Sequence, residues 1–122
     1  MQETLEKLRE IDGYIASAIL DASGEIIFKD QGNLVKGDVD RELITLNALF
    51  NKSKEVSKSL NLGSVSTMNF EAENAIALMF CSGEDKRVHI HLVLILEKNA
   101  NIGLAKLISN QVMKDMIEQL SV

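Results

Sequence analysis

At 122 residues the chain has the size of a single domain and can bury roughly two-thirds of its unfolded surface. Its 46% apolar and 25% charged residues are ordinary for a globular protein, and 4% aromatic residues leave too few rings for a base-stacking platform or an aromatic carbohydrate surface. A formal net charge of −5 with no dense basic patch argues against nucleic acid and anionic membranes as partners.

The densest basic group, Lys52, Lys54 and Lys58, has the spacing of the solvated side of a helix. Cys81 is the single cysteine, which excludes an intrachain disulfide and a multi-cysteine zinc site; among apolar neighbours it reads as a buried, inert thiol. The charged N-terminus lacks a signal-peptide stretch, and nowhere do about 18–20 apolar residues run together. A cytoplasmic protein without membrane insertion is therefore expected.

In chain order, Leu5, Leu8 and Ile11 oppose Glu6, Lys7 and Glu10, predicting a short amphipathic helix over residues 4–11 that ends near Gly13. Residues 13–32 hold an apolar run, a turn at 21–24 and a second run, the pattern of a hairpin whose loop draws on the conformational freedom of Gly24. A long helix follows, with Asp38 as its expected N-cap. Wound at about 100° per residue, Val39, Leu43, Leu46, Leu49, Phe50, Val56 and Leu60 share one arc. That arc is broader than one contact face needs, so this helix is expected to meet its own sheet and a second subunit. Ile44 and Ala48 fall opposite, among Asp40, Asn51 and Glu55, as an isolated apolar pair or a partner contact.

Three more strands are predicted at 64–70, 75–81 and 88–96, separated by polar turns at Glu73-Asn74 and at 82–85, which implies an antiparallel meander. In the last of them Val88, Ile90, Leu92, Leu94 and Leu96 line one face, and His89, His91, Val93 and Ile95 the other. A strand apolar on both faces belongs in the centre of a sheet covered by helices on both sides. A final helix over residues 101–120 turns Ile102, Ala105, Ile108, Val112, Met116 and Leu120 inward. No repeat or linker divides the chain, so residues 1–122 are expected to form one domain.

No chemistry emerges from the motifs. His89 and His91 share a side of their strand and can in principle grip a metal, but two protein ligands are too few for a stable zinc site. The nearest acids, Glu84 and Asp85, lie in a turn of unknown direction, so the pair reads as two imidazoles at the wetter end of a strand and no metal is expected. Gly32 and Gly37 have the gap of a phosphate-binding loop, yet Asp38 and Val39 stand where its lysine and Ser/Thr belong. Serines lack a nucleophile elbow, and Glu71 with Glu73 reads as solvated charge. Neither enzymatic activity nor a cofactor is expected.

The stretches "IDGYIASAILDASGEII" and "LVLILEKNANIGLAKLISNQV", in this order of elements, resemble the roadblock/dynein light chain family across nearly the whole chain. The resemblance rests on Gly13, on Asp21 and Gly24 of the first hairpin, and on Asn101, Gly103 and Leu104 of the terminal "N-x-G-L". Asn101 can cap the last helix, Gly103 can let it approach the sheet, and Leu104 with Ile108 can anchor it. A longin or profilin-like fold would share much of the pattern.

The resemblance implies an α+β fold in three layers. A five-stranded antiparallel sheet of order 2-1-5-4-3 carries the long helix on one face and both terminal helices on the other. It also implies a homodimer in which the third strand pairs with its copy while the middle helices pack together. Candidate interface residues are Leu49, Phe50 and Val56 of the helix and Ser64, Val65, Ser66, Thr67, Met68, Asn69 and Phe70 of the strand, although the helix residues can equally fill the core. Candidate partner contacts are Asp40, Arg41, Ile44 and Ala48. Bacterial and archaeal members resemble regulators of Ras-like small GTPases, some of which promote GTP hydrolysis without an arginine finger. Nothing marks Arg9, Arg41 or Arg87 as catalytic. The expectation is a non-enzymatic homodimeric adaptor for a small GTPase; the alternative is a scaffold subunit of a larger motor or signalling assembly.

Overall fold

The computed structural model describes residues 2–32, 34, 37–83 and 87–121. Helix α1 (Gln2–Glu6) passes into a 3-10 turn (Lys7–Glu10), followed by β1 (Tyr14–Asp21), β2 (Ile26–Asp30), α2 (Asp40–Ser59), β3 (Thr67–Glu71), β4 (Ile76–Cys81), β5 (Ile90–Leu96) and α3 (Ile102–Leu120). All strand pairs are antiparallel, in the order β2-β1-β5-β4-β3. Sheet order and element sequence are those expected. The first helix differs, because Leu5, Leu8 and Ile11 are spaced by three, and the three-residue turn of a 3-10 segment stacks them on one side better than an α-helix does.

Alternation along β5 divides the interior in two. Ile90, Leu92, Leu94 and Leu96 face a core shared with α1 and α3, where Leu5, Leu8, Ala105, Val112 and Met116 are buried. Val93 faces a second core under α2, with Ala18, Leu20, Met79, Leu43 and Phe50. The helices thus cover both faces, as a two-sided apolar central strand requires. No helix of the described residues is long and apolar enough to cross a membrane.

Local chemistry sets the boundaries. Asp21 Oδ1 accepts from the backbone N–H and hydroxyl of Ser23 and from Glu25 N–H, folding the first hairpin back at Gly24, whose φ of +104° suits glycine. At Gly13, with φ +88°, an added Cβ would lie 3.1 Å from that of Ala100, while its carbonyl accepts from Glu97 N–H at 2.7 Å. Both glycines therefore have structural reasons to be there.

Helix α2 starts one residue later than Asp38 would cap it. Val39 takes the N-cap position, and Asp38 Oδ1 accepts from Asp40 N–H at 2.9 Å, the bond that does most to hold its carboxyl below the ordinary range. At the other end Leu62 N–H reaches Ser57 O and Asn61 N–H reaches Lys58 O, with Asn61 left-handed at φ +59°, a Schellman closure.

Strand β3 begins at Thr67, so Ser64 and Val65 precede it; Ser66 adds one rung by accepting from Cys81 N–H at 2.9 Å. Strand β5 begins at Ile90 because Ser82 Oγ accepts Ile90 N–H and donates to Val88 O, replacing a rung of the ladder. Glu84 and Asp85 of the predicted turn, and Asn33, Val35 and Lys36 of the glycine loop, lie outside the described residues.

Asn101 caps α3 as expected, accepting from Leu104 N–H at 3.0 Å. Leu104 itself is exposed, and a Cβ on Gly103 would meet only the Asn101 side chain, so neither fixes α3 to the sheet. That work falls to Ala105, Ser109, Val112, Met113 and Met116.

Candidate functional site

Winding α2 at about 100° per residue puts Leu43, Asn47, Phe50, Lys54 and Ser57 on its buried row. Two exposed stripes flank that row. On one flank lie Arg41, Ile44 and Ala48; Ile44 leans toward the β1–β2 turn, where its Cγ2 would be 3.8 Å from a Cβ on Gly24. The other flank, toward β4 and β3, carries Leu49, Val56 and Leu60, which are 52%, 48% and 62% exposed.

Strand β3 is the outer strand on that second flank. It pairs with β4 through five consecutive residues without a bulge, and its other edge is bare among the described residues. Met68 and Phe70 lie across from Met79 and Ala77, on the sheet face that α2 covers; Met68 packs into the α2 core, whereas Phe70 is 48% exposed. An apolar helix stripe therefore stands beside an unpaired strand edge, two features that each favour association with another chain.

The predicted contacts distribute unevenly over this surface. Leu49 and Val56 are on the exposed stripe, and Thr67, Met68, Asn69 and Phe70 are in the edge strand. Phe50 is not available to an interface. It is fully buried, its ring 4.7 Å from that of His91 at 43°. Of the predicted partner contacts Arg41, Ile44 and Ala48 are exposed together, while Asp40 accepts a hydrogen bond from Lys29 Nζ.

Beneath α2 lies a cluster that sequence reasoning missed. Lys54, read as a solvated lysine, is only 5% exposed and points into the sheet. Its Nζ lies 2.8 Å from His91 Nε2, 3.3 Å from His89 Nε2 and 3.2 Å from Cys81 Sγ, and its charge sits 4.9 Å from the Phe50 ring centre. An ammonium has three N–H donors, and a buried cation needs polar partners of this kind to offset its lost hydration.

Strand register explains the convergence. Cys81 of β4 stands directly across from His91 of β5, and His89 lies two residues before His91, where strand alternation returns to the α2 side. His91 is therefore fully buried rather than at a wet strand end, and Cys81 is half-buried, packing against the apolar α2 core as expected while its sulfur also meets Lys54 and His89. His91 Nδ1 is 2.6 Å from Asn47 Oδ1, so Nδ1 carries the proton and Nε2 is left to accept. Asn47 Nδ2 in turn donates to Ala22 O at 3.4 Å, and Asn51 Nδ2 does so at 3.0 Å. The thiol of Cys81 also touches His89 Nε2 at 3.2 Å and accepts Gly83 N–H at 3.3 Å.

Other suspected sites stay apart. Gly37 bounds a loop closed by Gln31 Nε2, which donates to Gly37 O at 2.6 Å, and Asp38 beside it pairs with Lys29. Glu71 and Glu73 are exposed, with Lys98 3.8 Å from Glu71. Arg9 Nε donates to Asp30 Oδ2 at 2.7 Å, and the Tyr14 hydroxyl donates to the same oxygen at 2.7 Å. That guanidinium is the main cause holding the Asp30 carboxyl below its ordinary range. Burial pushes the Tyr14 phenol well above its own.

No family model and no curated protein sequence matches the chain. Solved structures match it in shape. A roadblock/LC7 domain from Streptomyces avermitilis has a TM-score of 0.85, covering 100% of this chain and 98% of its own at 11% identity. Myxococcus xanthus MglB has a TM-score of 0.84, covering 98% and 94% at 13% identity. A structure described as MglB with a tetrameric arrangement has a TM-score of 0.78, covering 95% and 84% at 17% identity. At these identities the likeness is one of fold.

Proposed function

With the roadblock/LC7 fold as premise, we propose that the chain is a non-enzymatic, cytoplasmic homodimeric platform that docks a Ras-like small GTPase and modulates its GTP hydrolysis. The observation that carries the reading is the exposed stripe of Leu49, Val56 and Leu60 beside the edge of β3, which is bare among the described residues. Pairing that edge with its copy would extend one sheet across two chains and bring the two stripes together. Because these side chains are about half exposed, covering each contributes roughly 1–1.5 kcal/mol, and the three from each chain act together with the strand pairing against the entropy of association. A related fold described in a tetrameric arrangement supports self-assembly on this scaffold.

Dimerisation through that flank leaves Arg41, Ile44 and Ala48 on the opposite flank of each α2, where they remain open to a partner. The GTPase assignment follows from the resemblance carried by Gly13, Asp21, Gly24 and the Asn101–Leu104 segment. The nucleotide then belongs to the partner, and the platform acts by shaping it.

The test is retention of purified small GTPases from the same genome, loaded with GTP or GDP, on the immobilised chain. The expected result is nucleotide-dependent retention of one of them, weakened by about tenfold or more in Ile44→Asp, since a buried unpaired carboxylate costs at least about 1.4 kcal/mol. Indifference to every GTPase in both states contradicts the reading. Recovery of large non-GTPase proteins instead would favour the scaffold alternative.

A further inference from the structure

The Lys54 cluster takes no part in docking, and its chemistry stands independently of that reading. We propose that it is an exchangeable cation site: Cys81 Sγ, His89 Nε2 and His91 Nε2 bind a zinc-class divalent ion in the place filled by the Lys54 ammonium. The three ligand atoms lie within 4.8 Å of one another, and Nζ touches all of them. A tetrahedral zinc ion, with nitrogen at about 2.0 Å and sulfur at about 2.3 Å, holds its ligand atoms about 3.3–3.6 Å apart. Cys81 Sγ and His89 Nε2 are already 3.2 Å apart, so side-chain adjustment of roughly 1 Å closes the remaining gaps.

Two further features suit a metal. His91 is oriented from behind by Asn47 Oδ1 on Nδ1, the outer-shell contact that fixes a ligating tautomer. Gly83 N–H donates to the sulfur at 3.3 Å, a second outer contact that fixes where the Sγ points. One thiolate with two imidazoles selects zinc-like ions over magnesium or calcium, and three protein ligands leave a fourth position for water. His89 and Cys81 are only half-buried, so their side of the site is the one from which an ion can enter. On binding, the thiol proton leaves to solvent and the ammonium swings away on its flexible four-carbon stem. Because that stem belongs to α2, exchange would loosen one of the contacts that seat the helix on its sheet.

The experiment is titration of chelator-stripped full chain with cobalt(II), read by thiolate-to-cobalt charge-transfer absorption, then back-titration with zinc(II). The expected result is about one cobalt per chain, displaced by zinc. The charge-transfer band should vanish in Cys81→Ser, and His89→Ala should bind about tenfold or more weakly. In Lys54→Met, which keeps the side-chain volume and removes the competing ammonium, binding should tighten by about tenfold or more. Two results overturn the proposal. If neither wild type nor folded Lys54→Met shows the band, the ammonium is a permanent core group. If cobalt binds equally well in Cys81→Ser, or more weakly in folded Lys54→Met, the site or its exchange is misassigned.

Discussion

Buried polar side chains set much of this molecule's character at the scale of single residues. Asp30 accepts from Arg9 and Tyr14 at one oxygen, and its side chain is 10% exposed. Its carboxyl is held below the ordinary 3.8, so the native state binds its proton less readily than the unfolded chain does. The associated stability is fully present above about pH 4 and is lost as pH falls through the depressed native value. Asp21, lowered chiefly by the Ser23 hydroxyl, and Asp38 act in the same direction. Asp30→Asn should therefore melt a few degrees lower than wild type at pH 7, with the gap narrowing steadily below about pH 4. A gap that stays constant from pH 7 to pH 3 would contradict this assignment. Lys54 and Cys81 are the residues whose surroundings were least legible in the sequence. A lysine amid helix charges reads as solvated, and only the pairing of Cys81 with His91 across two strands reveals that three ligand atoms converge.

Element boundaries and faces were read from periodicity, and the outcome depended on how apolar each face was. In β5 both faces are nearly all apolar, and the predicted alternation matches the two cores. In α2 the buried row includes Asn47, Lys54 and Ser57, so counting apolar residues drew the predicted arc toward Leu49, Val56 and Leu60, which are exposed. The breadth of that arc was still informative, because it merged a core row with a surface stripe. The two kinds of position are separable by mutation. Phe50→Ala should destabilise each chain by about 3–5 kcal/mol, since it empties a fully buried ring site. Leu49→Ala should change the intrinsic stability of one chain by no more than about 0.5 kcal/mol while weakening the concentration dependence of unfolding. Denaturant melts at several chain concentrations distinguish these outcomes. Similar losses from both substitutions would place Leu49 in the core and remove it from the interface.

For the molecule as a whole, a central last strand covered by helices on both faces was legible in its doubly apolar alternation, whereas the sheet order and the assignment of each helix to a face were expected from the family resemblance and match the observed order. What covers the outer surface was not, since an exposed leucine and a leucine awaiting a partner look alike in sequence. Joining β3 edges would turn two five-stranded sheets into one continuous sheet and put the Leu49 stripes at its centre, leaving both Ile44 flanks free for docking. Sedimentation equilibrium of the whole chain at micromolar concentration tests this most directly. The account predicts a species of twice the 13.5 kDa chain mass that reverts to a folded single chain in Leu49→Glu/Val56→Glu. A wild-type chain that sediments at 13.5 kDa throughout that range would contradict it.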